Sequence, residues 1–279
     1  MEQILEFLVE PLRYNFMLRG LLGGLLTSLS CAVLSAFVVW RGMSFIGDAI
    51  SHSILPGIVL AYVLDINLFW GALAASFLVV VGIGLISGYG LVGEQTAIGV
   101  VFVGFFALGI LLLSRVASAS DLSHILFGNI LGVFREDLII MAAVAGVVIT
   151  GISLSYKEIL TASFDPAHSA AIGLSPHLIR YLILILLALS TVSAVQTVGV
   201  VLVLALLVTP GAAASQIFRK PGGIIFLSVA ISSFAVVVGF YVSYYANLAS
   251  GPSIVIVLTL FFVLSAAISR IRRGVKSLG

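Results

Sequence analysis

The sequence predicts an all-α, polytopic membrane protein. The expected architecture is a bundle of about eight or nine spanning helices, with a short re-entrant or interfacial helix and one more helix exposed on the cytoplasmic side. Three observations predict it. Apolar residues make up 61% of the 279 residues and charged residues 9%, against roughly 45–50% and 25% in soluble domains. The mean hydropathy is +1.29. The apolar residues lie in long uncharged runs that lack the two-residue alternation of barrel strands. A soluble enzyme and a disordered tail are therefore excluded. The net charge of +2 offers no basic face for nucleic acid. One cysteine, Cys31, rules out a disulfide framework or a cysteine-rich metal knuckle.

A spanning helix needs about 20 apolar residues. The first uncharged run, 20–40, holds one span. Ahead of it, Glu2, Glu6 and Glu10 give the chain start the wrong charge for a secretory signal and allow an amphipathic surface helix. Residues 43–64 are long enough to span and are counted as a span, although they carry Asp48 and His52. Runs 66–93, 95–114 and 138–156 hold one span each. Between them, 122–133 is too short to cross and reads as the re-entrant or interfacial helix. Run 181–218 is too long for one helix and breaks best at 196–199, giving two spans and a tight turn. Run 221–269 breaks at 247–253, where Asn, Gly and Pro punctuate it. All 279 residues read as a single membrane domain. The spacings Gly20/Gly24, Gly84/Gly88 and Gly128/Gly132 suit close helix packing.

Basic residues set the orientation. Arg270, Arg272, Arg273 and Lys276 place the C-terminal tail inside. Counting back, Arg219 and Lys220, the loop 157–180 and Arg41 also fall inside, and the N-terminus falls outside.

Asp48 and His52 lie four apart, so a helix puts both on one face. A carboxylate at mid-membrane costs about 2.5–3.5 kcal/mol, so the pair should face the bundle interior. A mixed oxygen and nitrogen pair suits a divalent first-row metal such as manganese, iron or zinc. Three readings stand on spacing alone: metal ligands, a pair bonded to each other or to nearby backbone, and a proton relay. Pro56 cannot donate to the carbonyl of His52, which either kinks a packed helix or opens a carbonyl to a pathway. Asp121, His124 and Asn129 lie in the short segment; they either shape the mouth of a channel or form the wet edge of an interfacial helix. In the inside loop, Asp165 suits an N-cap, Pro166 the first helical position and Gly173 the stop. The resulting short helix carries Phe164, Ala167 and Ala171 and looks made to seat in a groove of another protein, or else it is a plain connector. His168 and His177 read as solvated loop residues. Walker A, HExxH and GxSxG motifs are absent, as is an arginine-rich voltage-sensor helix. Uphill transport would need a partner or an ion gradient.

Several strings then match a known pattern in order. They are RGMSFIGDAISH at 41–52, LPG at 55–57, TAIG at 96–99, DLSHILFGNIL at 121–131, SFD at 163–165, QTVG at 196–199 and LVTPGAA at 207–213. Together they make the chain resemble the membrane permeases of bacterial ABC importers for manganese, zinc and iron, over nearly its whole length. The resemblance implies a multi-pass protein of the bacterial plasma membrane that pairs with a second copy of itself. A separate cytoplasmic ATP-binding subunit would lie beneath and a metal-binding lipoprotein would deliver from outside. It implies no permanent cofactor and no enzyme activity of its own, with ATP hydrolysed by the partner. Asp48 and His52 would be the metal site, with Pro56, His124 and Asn129 candidates for the pathway or gate. Phe164, Asp165, Pro166, Ala167, Ala171 and Gly173 would form the coupling helix. Manganese is the leading cargo, with zinc or iron next, and a proton-coupled secondary metal transporter is the alternative.

Overall fold

The structure is a computed structural model that describes residues 9–88, 92–116 and 130–276. The helices are α1 (Asn15–Trp40), α2 (Ile46–Ser53), α3 (Leu55–Val63), α4 (Leu68–Gly88), α5 (Glu94–Leu113), α6 (Arg135–Leu154), α7 (Tyr156–Phe164), α8 (Pro166–Ala171), α9 (Pro176–Val198), α10 (Val200–Ile217), α11 (Pro221–Ala246) and α12 (Ser250–Lys276). Among the described residues, nine segments are long and apolar enough to cross a membrane, with α2 and α3 together making one. That agrees with the uncharged runs.

Local chemistry explains the boundaries. Gly199 ends α9 and starts α10 with φ +82°, a left-handed value that needs a glycine here, so the long run splits where Gln, Thr and Gly suggested. Asn247, also left-handed, closes α11. Asp137 Oδ2 accepts the Phe134 N–H at 2.9 Å and caps the start of α6. α9 begins at Pro176, ahead of its uncharged run. It accommodates Arg180 because that guanidinium donates to the Gly84 carbonyl at 3.1 Å and lies over the Tyr181 ring. Of the short segment predicted at 122–133, only its end is described: Ile130–Gly132 is a single 3₁₀ turn. Asp121, His124 and Asn129 lie outside the described residues.

α1 is the hub, packed by α6, α9, α10 and α11, while α2 and α3 are held by α4, α5, α9 and α10. α1, the α2–α3 span and α9 are the most covered; α5, α6 and α12 are the least. Small residues permit the tightest crossings. Gly57 and Ala61 of α3 meet Gly71 and Ala75 of α4 reciprocally, each glycine facing the other's carbonyl oxygen. Gly211 lies on the Ser35 backbone and donates to Ser35 Oγ at 2.8 Å, drawing α10 onto α1. Gly20 and Gly24 accept Ile130, Phe240 and Val236. Deep between α1 and α9, Ser190 Oγ donates to Ser30 Oγ at 3.1 Å and lies 3.3 Å from the Cys31 sulfur.

Candidate functional site

Asp48 sits in the first turn of α2 and His52 in its last. Gly47, ahead of Asp48, packs against Leu207 of α10, and the Ser51 hydroxyl turns back to the Gly47 carbonyl at 2.6 Å. Ala49, Ile50, Ser51 and Ser53 are buried. The rest of α2 is thus fixed in the core, and the i,i+4 pair is left on its open side. The side chain of His52 is 29% exposed and that of Asp48 37%. His52 Nε2 and Asp48 Oδ1 are 3.4 Å apart, beyond the roughly 2.7–3.2 Å of a good N–H···O bond. Two donors about 2.1 Å from one ion and 3.4 Å apart subtend roughly 108° at that ion, an angle that first-row metals accept.

α5 forms one wall. Phe106 meets the His52 ring edge-on at 5.3 Å between centroids, and Phe102 stands at 6.2 Å. The two phenylalanines stack on each other at 5.8 Å. His52 Nδ1 is buried with no hydrogen-bond partner among the described residues. Among the described residues, no group of three or more His, Cys, Asp or Glu is assembled to hold a metal ion. Among the described residues the site therefore offers two donors, and they lie on a face that the described helices do not close.

Pro56 is buried and is the second residue of α3, which follows a one-residue break at Ile54. It lines an apolar lateral groove with Gly57, Leu60 and Leu108. The proline therefore interrupts the helix as its chemistry requires. His124 and Asn129 lie outside the described residues.

The basic end of the bundle gathers groups that the sequence scatters. Arg41, just after α1, has Nη2 3.9 Å from Glu94 Oε2 at the start of α5. Gln95 donates to the Gly42 carbonyl. Burial pushes the Arg41 guanidinium below its ordinary pKa, opposed by Glu94 and reinforced by Arg180. Beside this lies the α7–α8 segment. Asp165 Oδ1 accepts the His168 N–H at 2.9 Å, Pro166 opens α8, and Gly173 follows it with φ +86°. The Leu174 N–H returns to the Ser169 carbonyl at 3.0 Å to close the helix. Phe164, Asp165, Pro166, Ala167, Ala171 and Gly173 are all exposed, while Ser169 turns inward and is buried. The Phe164 ring lies 5.5 Å from that of Trp40. His168 and His177 are exposed, as expected.

Residues 13–269 match the model of the ABC 3 transport family. The chain belongs to that family. A manganese transport system membrane protein, MntC, of Listeria monocytogenes is 40% identical over 259 residues, covering 93% of this chain and 92% of the relative. A probable iron transport system membrane protein of Haemophilus influenzae is 39% identical, covering 96% and 98%. Among solved structures, PsaBC from Streptococcus pneumoniae in complex with Fab superposes with a TM-score of 0.82 at 36% identity, covering 94% of this chain and 95% of that one. Family membership and the nine apolar spans among the described residues make this a multi-pass membrane protein, a transport component of its system.

Two features of the site escape a reading of the sequence. Phe102 and Phe106 share the i,i+4 spacing of Asp48 and His52, but nothing in sequence ties the two pairs together. Arg41, Glu94 and Arg180 end three different spans and meet only in three dimensions.

Proposed function

We propose that this chain is the membrane permease of an ATP-driven importer in the bacterial plasma membrane, carrying divalent transition-metal ions inward. Manganese is the first cargo and iron the second, since relatives of both names share about two-fifths of the sequence. The observation that carries the reading is the Asp48–His52 pair, 3.4 Å apart on a face that the described helices leave open. Facing lipid, the carboxylate alone would cost about 2.5–3.5 kcal/mol. A second copy of the chain removes that cost. Across a two-fold axis the donors become two carboxylates and two imidazoles. Two negative charges then balance one M²⁺ where unbalanced charge is expensive. So small a donor set also lets the ion go. α5, thinly covered and open at Gly99 and Gly104, supplies surface for the second copy.

The basic end faces the cytoplasm in this reading. There α8, with its exposed alanines and Phe164, docks on a separate ATP-hydrolysing subunit. A metal-binding lipoprotein delivers the ion at the opposite end. The energy source decides between this and a proton-coupled secondary transporter using Asp48 and His52 as its relay. Vesicles containing the permease with its ATP-hydrolysing partner accumulate Mn²⁺ when given ATP and are unaffected by collapse of the proton gradient. Accumulation by the lone chain driven by a proton gradient would overturn the proposal.

A further inference from the structure

The ion pair at the basic end is incompletely satisfied. Arg41 faces the single carboxylate of Glu94, and the like charge of Arg180 acts on Arg41 from the other side of the cluster. The closest approach of Arg41 to that carboxylate is 3.9 Å, too long for a direct hydrogen bond. Arg41 Nη1, Arg180 Nε and Glu94 Oε1 are each buried without a partner among the described residues. Buried polar atoms left unpaired are costly, the more so when charged. A network in this condition is held in place by the elements around it and gains by re-pairing when they move.

The connections show which movements count. Arg180 stands in the second turn of α9, just downstream of α8, and its Nη2 is bonded to the Gly84 carbonyl of α4 at 3.1 Å and lies 3.4 Å from His177 Nδ1. Arg41 and Gly42 lead directly into α2, where Asp48 lies. Glu94 and Gln95 open α5, which about two turns further on presents Phe102 and then Phe106 to His52. Gln95 binds the Gly42 carbonyl, so the starts of α2 and α5 are tied together. Phe164, ahead of α8, rests on Trp40, ahead of Arg41. A displacement of α8 therefore reaches this cluster along two short routes, and the cluster joins the two helices that carry the Asp48–His52 site and its aromatic wall.

We propose that Arg41, Glu94 and Arg180 are positioning residues for transport: a polar latch that re-pairs when α8 moves and so carries that movement to the Asp48–His52 site. This rests on the importer reading above. None of the three touches the ion. Their loss uncouples ATP hydrolysis from import rather than abolishing either metal binding or subunit assembly.

The test uses the complete complex in liposomes, measuring ATP hydrolysed per Mn²⁺ accumulated, with Mn²⁺ binding to the purified permease followed by electron paramagnetic resonance. In E94Q the ratio of ATP to Mn²⁺ rises at least about tenfold, a loss of coupling worth about 1.4 kcal/mol, while Mn²⁺ affinity stays within about twofold. The charge swap R41E/E94R recovers much of the coupling. If E94Q is not recovered from membranes, E94D carries the comparison, with a smaller rise in the same direction. An unchanged ratio in the recovered variant overturns the latch, as does Mn²⁺ binding lost together with transport, or a swap no better than the single change. Failure of the parental complex to import with ATP sinks the importer reading itself, and is distinguishable because it needs no variant.

Discussion

Replacing Gly57 by alanine tests the packing that sets the α2–α3 span against α4. A Cβ at Gly57 falls within contact distance of the Gly71 carbonyl oxygen, 2.8 Å from the Gly71 carbonyl carbon and 2.6 Å from Ala75 Cβ. Two of these obstacles are backbone atoms and the third is a methyl group fixed to it. No rotamer change relieves them, so α3 and α4 must separate. Overpacking of this kind costs about 1–3 kcal/mol, and a backbone obstacle puts Gly57 at the upper end. Alanine returns about 0.8–1.0 kcal/mol of helix propensity. The net expectation is a destabilisation of about 1–2 kcal/mol, or several degrees in Tm. Gly146, in α6, provides the control: nothing lies within 4 Å of its added Cβ. There the propensity gain acts alone, and Gly146→Ala leaves Tm equal or raised. The single free cysteine is the reporter, because Cys31 is fully buried. A thiol-reactive dye labels it only as the bundle opens, so the melting of purified protein can be followed at one site. Should Gly57→Ala melt at or above the parental temperature, the crossing is not the close contact described, and the support it gives the site falls with it.

Other outcomes follow from single residues. Gly199→Ala forces a side chain onto a φ of +82°, costing about 1–3 kcal/mol, and lowers the unfolding temperature in the same dye assay. Asp165→Ala removes the acceptor of the His168 N–H, a cap worth about 1 kcal/mol. In a helix as short as α8 that loss frays the segment, so co-purification of the proposed ATP-hydrolysing partner falls while the melting of the bundle is unchanged.

Much of the fold is legible in the sequence because the bilayer imposes one dominant requirement. A span must be long, apolar and internally hydrogen-bonded, and runs without charge report that directly. Gly199 and Asn247 were readable as breaks because their residue types suit the left-handed backbone that they adopt. The cap at Asp165 was readable for a similar local reason. Pairings across helices were not. Gly57 and Gly71 each have a small residue four positions on, yet only the three-dimensional crossing selects these from the many glycines of the chain. Asp48 and His52 stood out because charge is rare in a span, and the i,i+4 rule put them on one face. Their half-open setting and the wall of Phe102 and Phe106 depend on how α5 meets α2, which no local pattern encodes. The cluster of Arg41, Glu94 and Arg180 was hidden for the same reason, since residues at the ends of spans look like ordinary flanking charge.

The central claim concerns two side chains, and Mn²⁺ uptake by intact cells tests it most directly. Cells carrying Asp48→Ala or His52→Ala take up Mn²⁺ at the rate of cells lacking the permease. Both variants still shield Cys31 from the dye and still retain the proposed ATP-hydrolysing partner on purification. Uptake at the parental rate by both variants would contradict the account.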